Sequence, residues 1–307
     1  MKIAIIGAGA LGSVIGFHLA SAAEVVLVDQ WAEHVTAINN QGLRCLRDDD
    51  ESMRSIAATT DPTSVKPVTI ALITVKAAQT PWAAEIAARL LATDGVAYTL
   101  QNGLGNDEVL RSHLGMQRVG QAVTTMGATL LGPGLVRMAG IGPTTFGAAP
   151  SLSIAYALAN YFRTSGLPAS VSTDVTSLVW GKLIVNVGIN ALTAILRVPN
   201  GALANIPAAS RLAQRAVEEA VAVARAAGIS LSLADPVAET LAVAQATAVN
   251  RSSMLQDILR GMPTEIDTIN GAIVREGRRL GVPTPFNEML CDMLKALEAT
   301  TPLRIRE

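Results

Sequence analysis

Apolar positions in the first half of the chain fall in short runs separated by glycine, proline and polar clusters. Residues 2–6, "KIAII", make a β-rich run. "GAGALG" follows, then a helical pattern to about Ala20 and a second run, "EVVLVD", from Glu24 to Asp29. Further runs stand at 69–75 ("TIALITV"), 96–101 ("VAYTLQ") and 119–125 ("VGQAVTT"), and "PWAAEIAARLLA" at 81–92 reads as a helix between the first two. Strands alternating with helices at this spacing predict a parallel sheet covered on both faces. Two pieces break the alternation. Residues 42–57 read as a polar-tipped hairpin, and 130–147 as Gly/Pro-punctuated antiparallel strands that give the sheet a mixed edge.

After a helical pattern at 151–166 and the breaker "GLP" at 166–168, the chain turns to long Ala/Leu/Val-rich segments with helical period. Helices are predicted over about 174–196, 208–227, 236–260, 264–280 and 286–299. The pattern therefore predicts an α/β N-terminal Rossmann-type domain over 1–168 and an all-α C-terminal domain over 169–307, the latter expected to carry substrate and catalysis.

Composition narrows the function classes. The 307 residues are 50% hydrophobic and 16% charged, with a mean hydropathy of +0.37; that suits large packed cores and excludes a disordered or highly charged scaffold. Net charge is −1 and no dense Lys/Arg cluster occurs, which argues against nucleic acid as partner. Cys45 and Cys291 stand apart, in no metal-ligand or redox spacing, and neither a disulfide nor a metal is expected. The start imitates a secretory signal, with Lys2, an apolar run and Ala20-Ser21-Ala22; the strand–turn–helix–strand context favours a folded domain instead. A soluble, cytoplasmic protein with a small-molecule partner is the expectation.

Gly7-Ala8-Gly9-Ala10-Leu11-Gly12 fits G-x-G-x-x-G between a strand and a helix. In that pattern the first glycine makes the turn, the second admits a pyrophosphate against the backbone, and the third lets helix and strand pack closely. Asp29 closes the next strand, where a carboxylate can bond both ribose hydroxyls of NADH and would repel the 2′-phosphate of NADPH. No Lys or Arg follows before Arg44. The alternative for Asp29 is a turn or helix cap. His18, His34 and His113 lie on or beside helices of this domain and read as structural.

In the second domain, "WGKLIVNVGINAL" carries Lys182, Asn186 and Asn190 at four-residue steps on an otherwise apolar helix. Four steps of about 100° keep the three on one slowly drifting line. A lysine there must reach water or be held by partners. Beside a redox cofactor, an ammonium can stabilise the charge that develops on a ketone oxygen and donate the proton, while the amides hold carboxylate or hydroxyl groups. The plain alternative is a snorkelling lysine and two local caps.

"VWGKLIVNVGINALTAILRVPNG", "NRSSMLQDI" at 250–258 and "TEIDTING" at 264–271, with "GAGALG", "TVKAAQT" and "QNGLGN", together resemble the ketopantoate reductase (2-dehydropantoate 2-reductase) family over essentially the whole chain. The resemblance implies reduction of 2-dehydropantoate to (R)-pantoate in pantothenate and coenzyme A biosynthesis. Carried over by residue, it implies Lys182 as proton donor and substrate contacts at Asn102, Asn186, Asn190, Asn200, Ser253, Met254, Leu255 and Gln256. It further implies cofactor contacts at Lys76, Asn102, Ala128 and Glu265, beside Gly7 to Gly12, Asp29 and Gln30. Lys76 also follows a strand at the carboxyl edge of the sheet, where Rossmann ligands bind. Asn102-Gly103 taken alone is a turn dipeptide, and Glu265 lies inside a T-x-x-D capping box formed by Thr264 and Asp267.

One departure stands out. Family members that use NADPH carry an arginine just after the second strand, and Gln30 stands at the matching position, after Asp29. NADH is therefore expected to serve at least as well as NADPH. The competing readings are an NAD-dependent D-2-hydroxyacid dehydrogenase of D-mandelate type and a non-catalytic dinucleotide sensor; Lys182 speaks against the sensor. A homodimer is compatible with the apolar helices of the second half.

Overall fold

A computed structural model describes residues 1–48 and 50–303. In chain order, β1 (Lys2–Ile6), α1 (Ala10–Leu19), β2 (Glu24–Val28) and α2 (Ala32–Gln41) lead into β3 (Leu43–Arg47), β4 (Asp50–Arg54) and β5 (Ala57–Thr59). Next come β6 (Val68–Ile73), α3 (Thr80–Leu90), β7 (Leu91–Thr99), α4 (Asn106–Leu114) and β8 (Val119–Thr124). β9 (Gly127–Gly132), β10 (Leu135–Gly140), β11 (Thr144–Gly147), α5 (Leu152–Thr164) and β12 (Ala169–Ser172) complete the α/β part. The remainder is helical: α6 (Val175–Leu196), α7 (Gly201–Asn205), α8 (Pro207–Ala226), α9 (Pro236–Ala246), α10 (Ser253–Arg260), α11 (Asn270–Leu280) and α12 (Pro285–Thr300).

The chain divides into two compact units, one of residues 1–101 and 106–175, the other of 102–105 and 176–307. The boundary expected after 168 falls seven residues later because β12 pairs in parallel with β11, Thr144 opposite Ala169, and so belongs to the first unit's sheet. The loop 102–105 goes with the helices, which sequence position alone could not indicate.

In the first unit an eight-stranded sheet runs in the order β12-β11-β8-β7-β6-β1-β2-β5. Its strands are parallel except where β11 meets β8, the mixed edge that the irregular segment led one to expect. Alternate residues feed the two faces. Ile3, Ile5, Leu27, Ile70 and Leu72 pack in one core, and Ala4, Ile6, Val28, Ala71 and Ile73 in the other, which is why these strands read as continuous apolar runs rather than alternations. β1 lies inside the sheet, so residues 2–19 serve here as a central strand and its helix. A second sheet, β4-β3-β10-β9, contains the expected hairpin; Asp49, within the stretch 42–57, lies outside the described residues.

The second unit is all-α around its own core, which includes Trp180, Leu183, Ile184 and Val187 of α6. Helix α6 is long and apolar enough to cross a membrane by length and composition, and 67% of its apolar 18-residue window is buried, as in a core helix. Two expected helices are shorter than the pattern suggested. The stretch 236–260 breaks between α9 and α10, and the broken segment turns its carbonyls to the start of α7: Asn200 N–H donates to Asn250 O at 3.0 Å and Gly201 N–H to Ala248 O at 3.1 Å. The stretch 264–280 becomes helical only at Asn270. Thr264 N–H donates to Glu298 Oε1 at 2.8 Å and the Asp267 carboxylate pairs with Lys295, so the T-x-x-D capping box does not form.

Candidate active site

In the first unit the glycine turn joins β1 to α1. Gly7 has φ +102, and a Cβ placed there would stand 2.6 Å from the Val75 backbone nitrogen, while one on Gly12 would collide with the Gly7 carbonyl. The protein's own packing demands both glycines. Gly9 differs: a Cβ there meets nothing within 4 Å, and its φ of −64 needs no glycine. No neighbour explains the missing side chain, and open space over a helix N-terminus fits a pyrophosphate approaching the backbone. Ala10 and Leu11 open α1.

Asp29 and Lys76 follow the carboxyl ends of β2 and β6, the two strands beside β1, at the edge where ligands of such sheets sit. Asp29 Oδ2 accepts from Ala8 N–H at 2.6 Å and Oδ1 from Trp31 N–H at 2.9 Å. The carboxylate thus does cap the following turn, yet each oxygen keeps a further lone pair for a ribose hydroxyl. Gln30 is exposed and accepts from Gln79 Nε2 at 3.4 Å. Lys76 is exposed. Gln101, which sequence reasoning missed, donates to Val75 O at 3.0 Å and Thr80 Oγ1 at 2.8 Å, pinning the backbone before Lys76. Ala128 lies half-buried on β9, opposite Met138.

The second unit gathers the ionisable chemistry. Lys182 Nζ donates to Asn102 Oδ1 at 2.7 Å, and Asn102 Nδ2 donates to Glu265 Oε2 at 3.4 Å. These residues are separated by 80 and 163 positions in the chain. Asn102-Gly103 is therefore no plain turn. Gly103 has φ +85 and a Cβ there would strike the Thr268 carbonyl, while Leu104 N–H donates to Thr268 O at 3.0 Å; the glycine lets the loop lie against Thr268 and deliver Asn102. Glu265 is 7% exposed. Burial pulls the Lys182 ammonium down to about 8, with the Glu265 carboxylate acting in the opposite direction.

Further along α6, Asn186 is half-buried and Asn190 only 5% exposed. Asn200 donates to Thr247 Oγ1 at 2.9 Å, and its Oδ1 is buried without a partner among the described residues. Thr247 was missed because 236–260 reads as one helix; the polar cluster "NRSS" at 250–253 was the available signal for the break. At α10 the cap is Ser252, whose Oγ accepts from Leu255 N–H at 3.1 Å and from Thr193 Oγ1 at 2.8 Å. Ser253 is half-buried. Met254 and Leu255 pack their side chains in the helical core, and Gln256 Nε2 donates to Arg251 O at 3.1 Å.

Comparison with known proteins gives a consistent outcome. Residues 3–151 match the family model "Ketopantoate reductase PanE/ApbA" and residues 174–298 that of its C-terminal part. A 2-dehydropantoate 2-reductase from Halobacterium salinarum is 38% identical over 301 residues, covering 96% of this chain and 98% of the relative. Among solved structures, a PanE/ApbA family ketopantoate reductase from Ralstonia eutropha JMP134 is 36% identical with a TM-score of 0.90, over 98% of this chain and 99% of that one. A D-mandelate dehydrogenase solved with NADH and anilino(oxo)acetate is 31% identical, with a TM-score of 0.90 and the same coverage. With both units matched in order and along nearly their whole length, the chain belongs to the ketopantoate reductase family.

Proposed function

We propose that the chain reduces the ketone of 2-dehydropantoate to (R)-pantoate with a nicotinamide dinucleotide, and that Lys182 is the proton donor. The observation that carries this reading is the ammonium of the half-buried Lys182, bonded to Asn102 and held near 8. A lysine at its ordinary value of 10.5 would give up a proton reluctantly near neutrality. One near 8 is still mostly charged there and is a far better acid. The nicotinamide, when bound, supplies the hydride. As negative charge builds on the ketone oxygen, the ammonium stabilises it and then transfers a proton, while Asn102, accepting from Nζ, fixes the direction in which the remaining protons point.

Asn186, Asn190 and Asn200 suit a substrate with both a carboxylate and a hydroxyl, since each amide offers a donor and an acceptor. Ser253 and Gln256 are the parts of "SMLQ" with side chains available to a substrate; Met254 and Leu255 are core and act by holding α10. The turn from Gly7 to Gly12 with Asp29, Gln30, Lys76 and Ala128 would hold the dinucleotide, and Glu265 with Asn102 its nicotinamide end. Asp29 and the missing arginine at Gln30 favour NADH.

A second reading, a D-mandelate-type dehydrogenase, is favoured by the likeness to that NADH-bound enzyme and by the same Asp29. Steady-state kinetics with 2-dehydropantoate, benzoylformate and 2-ketoisovalerate, each with NADH and NADPH, separate the two. The expected outcome is the highest kcat/KM for 2-dehydropantoate, with NADH at least equal to NADPH. A higher kcat/KM for benzoylformate would transfer the assignment to the second reading, and a strong NADPH preference would overturn the role of Asp29.

A further inference from the structure

A chain of hydrogen bonds leads from helix α2 into the glycine turn. His34 is fully buried, at 0% exposure. Gly134 N–H donates to its Nδ1 at 3.0 Å; a backbone amide can only donate, so Nδ1 carries no proton and the neutral ring holds its proton on Nε2. Nε2 lies 3.2 Å from Ser13 Oγ, and Ser13 Oγ in turn donates to the Ala8 carbonyl at 2.7 Å. The N–H of the same Ala8 donates to Asp29 Oδ2 at 2.6 Å. Every bond thus runs one way, from Gly134 through His34 and Ser13 to Ala8 and on to Asp29. Trp31 stacks on the imidazole, centroids 5.1 Å apart and planes 8° from parallel, and at 37% exposure it screens the ring from water.

The turn needs such a restraint. Gly7 and Gly9 bring no side chain to stiffen it, and glycine loses the most conformational freedom on being ordered. A turn fixed before a ligand arrives binds more tightly than one that must be ordered on binding. We propose that His34 is a positioning residue for dinucleotide binding: through Ser13 it clamps the Ala8 peptide, and so fixes the glycine turn and the Asp29 carboxylate before the cofactor arrives. Burial keeps the His34 pKa below its ordinary value, against the pull of Asp29, and this preserves the neutral form that accepts from Gly134. The proposal rests on a dinucleotide occupying the glycine turn and is independent of which keto acid is reduced.

Three variants test it: Ser13→Ala, which removes the middle of the chain; His34→Asn, which keeps an acceptor near the Nδ1 position and loses the donor to Ser13; and His34→Gln, which restores that donor. The readouts are the dissociation constant of NADH from quenching of protein fluorescence, the thermal midpoint, and kcat and KM separately. Saturable NADH binding by the wild type establishes separately that the chain takes a dinucleotide. Ser13→Ala and His34→Asn should weaken NADH binding about 5- to 30-fold, the ratio that one or two lost hydrogen bonds give. Their kcat at saturating NADH should stay within about twofold, and His34→Gln should recover most of the affinity. Variants that lower the thermal midpoint but bind NADH as the wild type does would overturn the proposal, as would a Gln no better than Asn. If the His34 variants do not fold, Ser13→Ala alone decides, because it removes one oxygen and no packing framework.

Discussion

The glycine turn and the Lys182 cluster are built on opposite physical plans. The turn is made of main chain and of atoms left out: Gly7 and Gly12 are required by contacts with Val75 and with Gly7 itself, and a Cβ on Gly9 meets nothing within 4 Å among the described residues. The Lys182 cluster is made of side chains from three distant stretches, brought together by packing, with a charge held where solvent is scarce. A site made of backbone and empty space is damaged by adding atoms. A site made of desolvated side chains is damaged by removing an atom or a charge.

The sharpest separation comes from Lys182→Ala. Loss of a positioned proton donor lowers rates by about 10²- to 10⁴-fold, so kcat should fall by that range while NADH affinity, measured by fluorescence, stays near the wild-type value. Turnover reduced less than about tenfold would remove Lys182 from the donor role. Equal losses in turnover and NADH affinity would mean that the two sites are not separable in the way their construction suggests.

Within the turn, two additions of one methyl group should behave differently. Gly12→Ala forces a Cβ onto the Gly7 carbonyl, an overpacking expected to destabilise the fold by about 1–3 kcal/mol or more, visible as a lower thermal midpoint. Gly9→Ala meets no protein atom, so the midpoint should hold, and NADH binding should weaken by about tenfold, roughly 1.4 kcal/mol. If Gly9→Ala bound NADH normally, the open space would not be the pyrophosphate site.

The contrast also explains what could be read in the sequence. The turn, its strands and its helix are local in the chain, so "KIAIIGAGALG" and "EVVLVD" carry the fold class and a candidate cofactor site in their pattern. The stripe Lys182, Asn186 and Asn190 was visible as a periodicity, but its meaning depended on Asn102 and Glu265. By local pattern Asn102 reads as a turn residue and Glu265 as part of a capping box, and only the family resemblance implies site roles for them; in the fold, Thr268 joins their backbones. The break at 247–252 was hidden because its Ala/Val/Thr flanks keep helical period on both sides. His34 and Ser13, 21 positions apart, carry no motif at all; only the folded chain shows that they meet at Ala8.

The smallest expected effect, on pH dependence, examines the electrostatic half of the comparison. Proton donation requires the charged Lys182, so kcat/KM for ketone reduction should fall as pH rises through about 8. The same group affects stability with a definite sign. Its folded-state value lies below the unfolded 10.5, so between the two the unfolded chain holds a proton that the folded chain has released. The group's contribution to stability therefore rises with pH across that window, and its burial is most unfavourable below it. Glu265 acts to raise the Lys182 value. Glu265→Gln, which keeps an acceptor for Asn102, should accordingly move the descending limb of the pH profile to lower pH. A limb that stayed in place would mean that the carboxylate orients Asn102 without acting on the ammonium. A limb that moved upward would show that the carboxylate disfavours the charged lysine, adding to the effect of burial instead of opposing it.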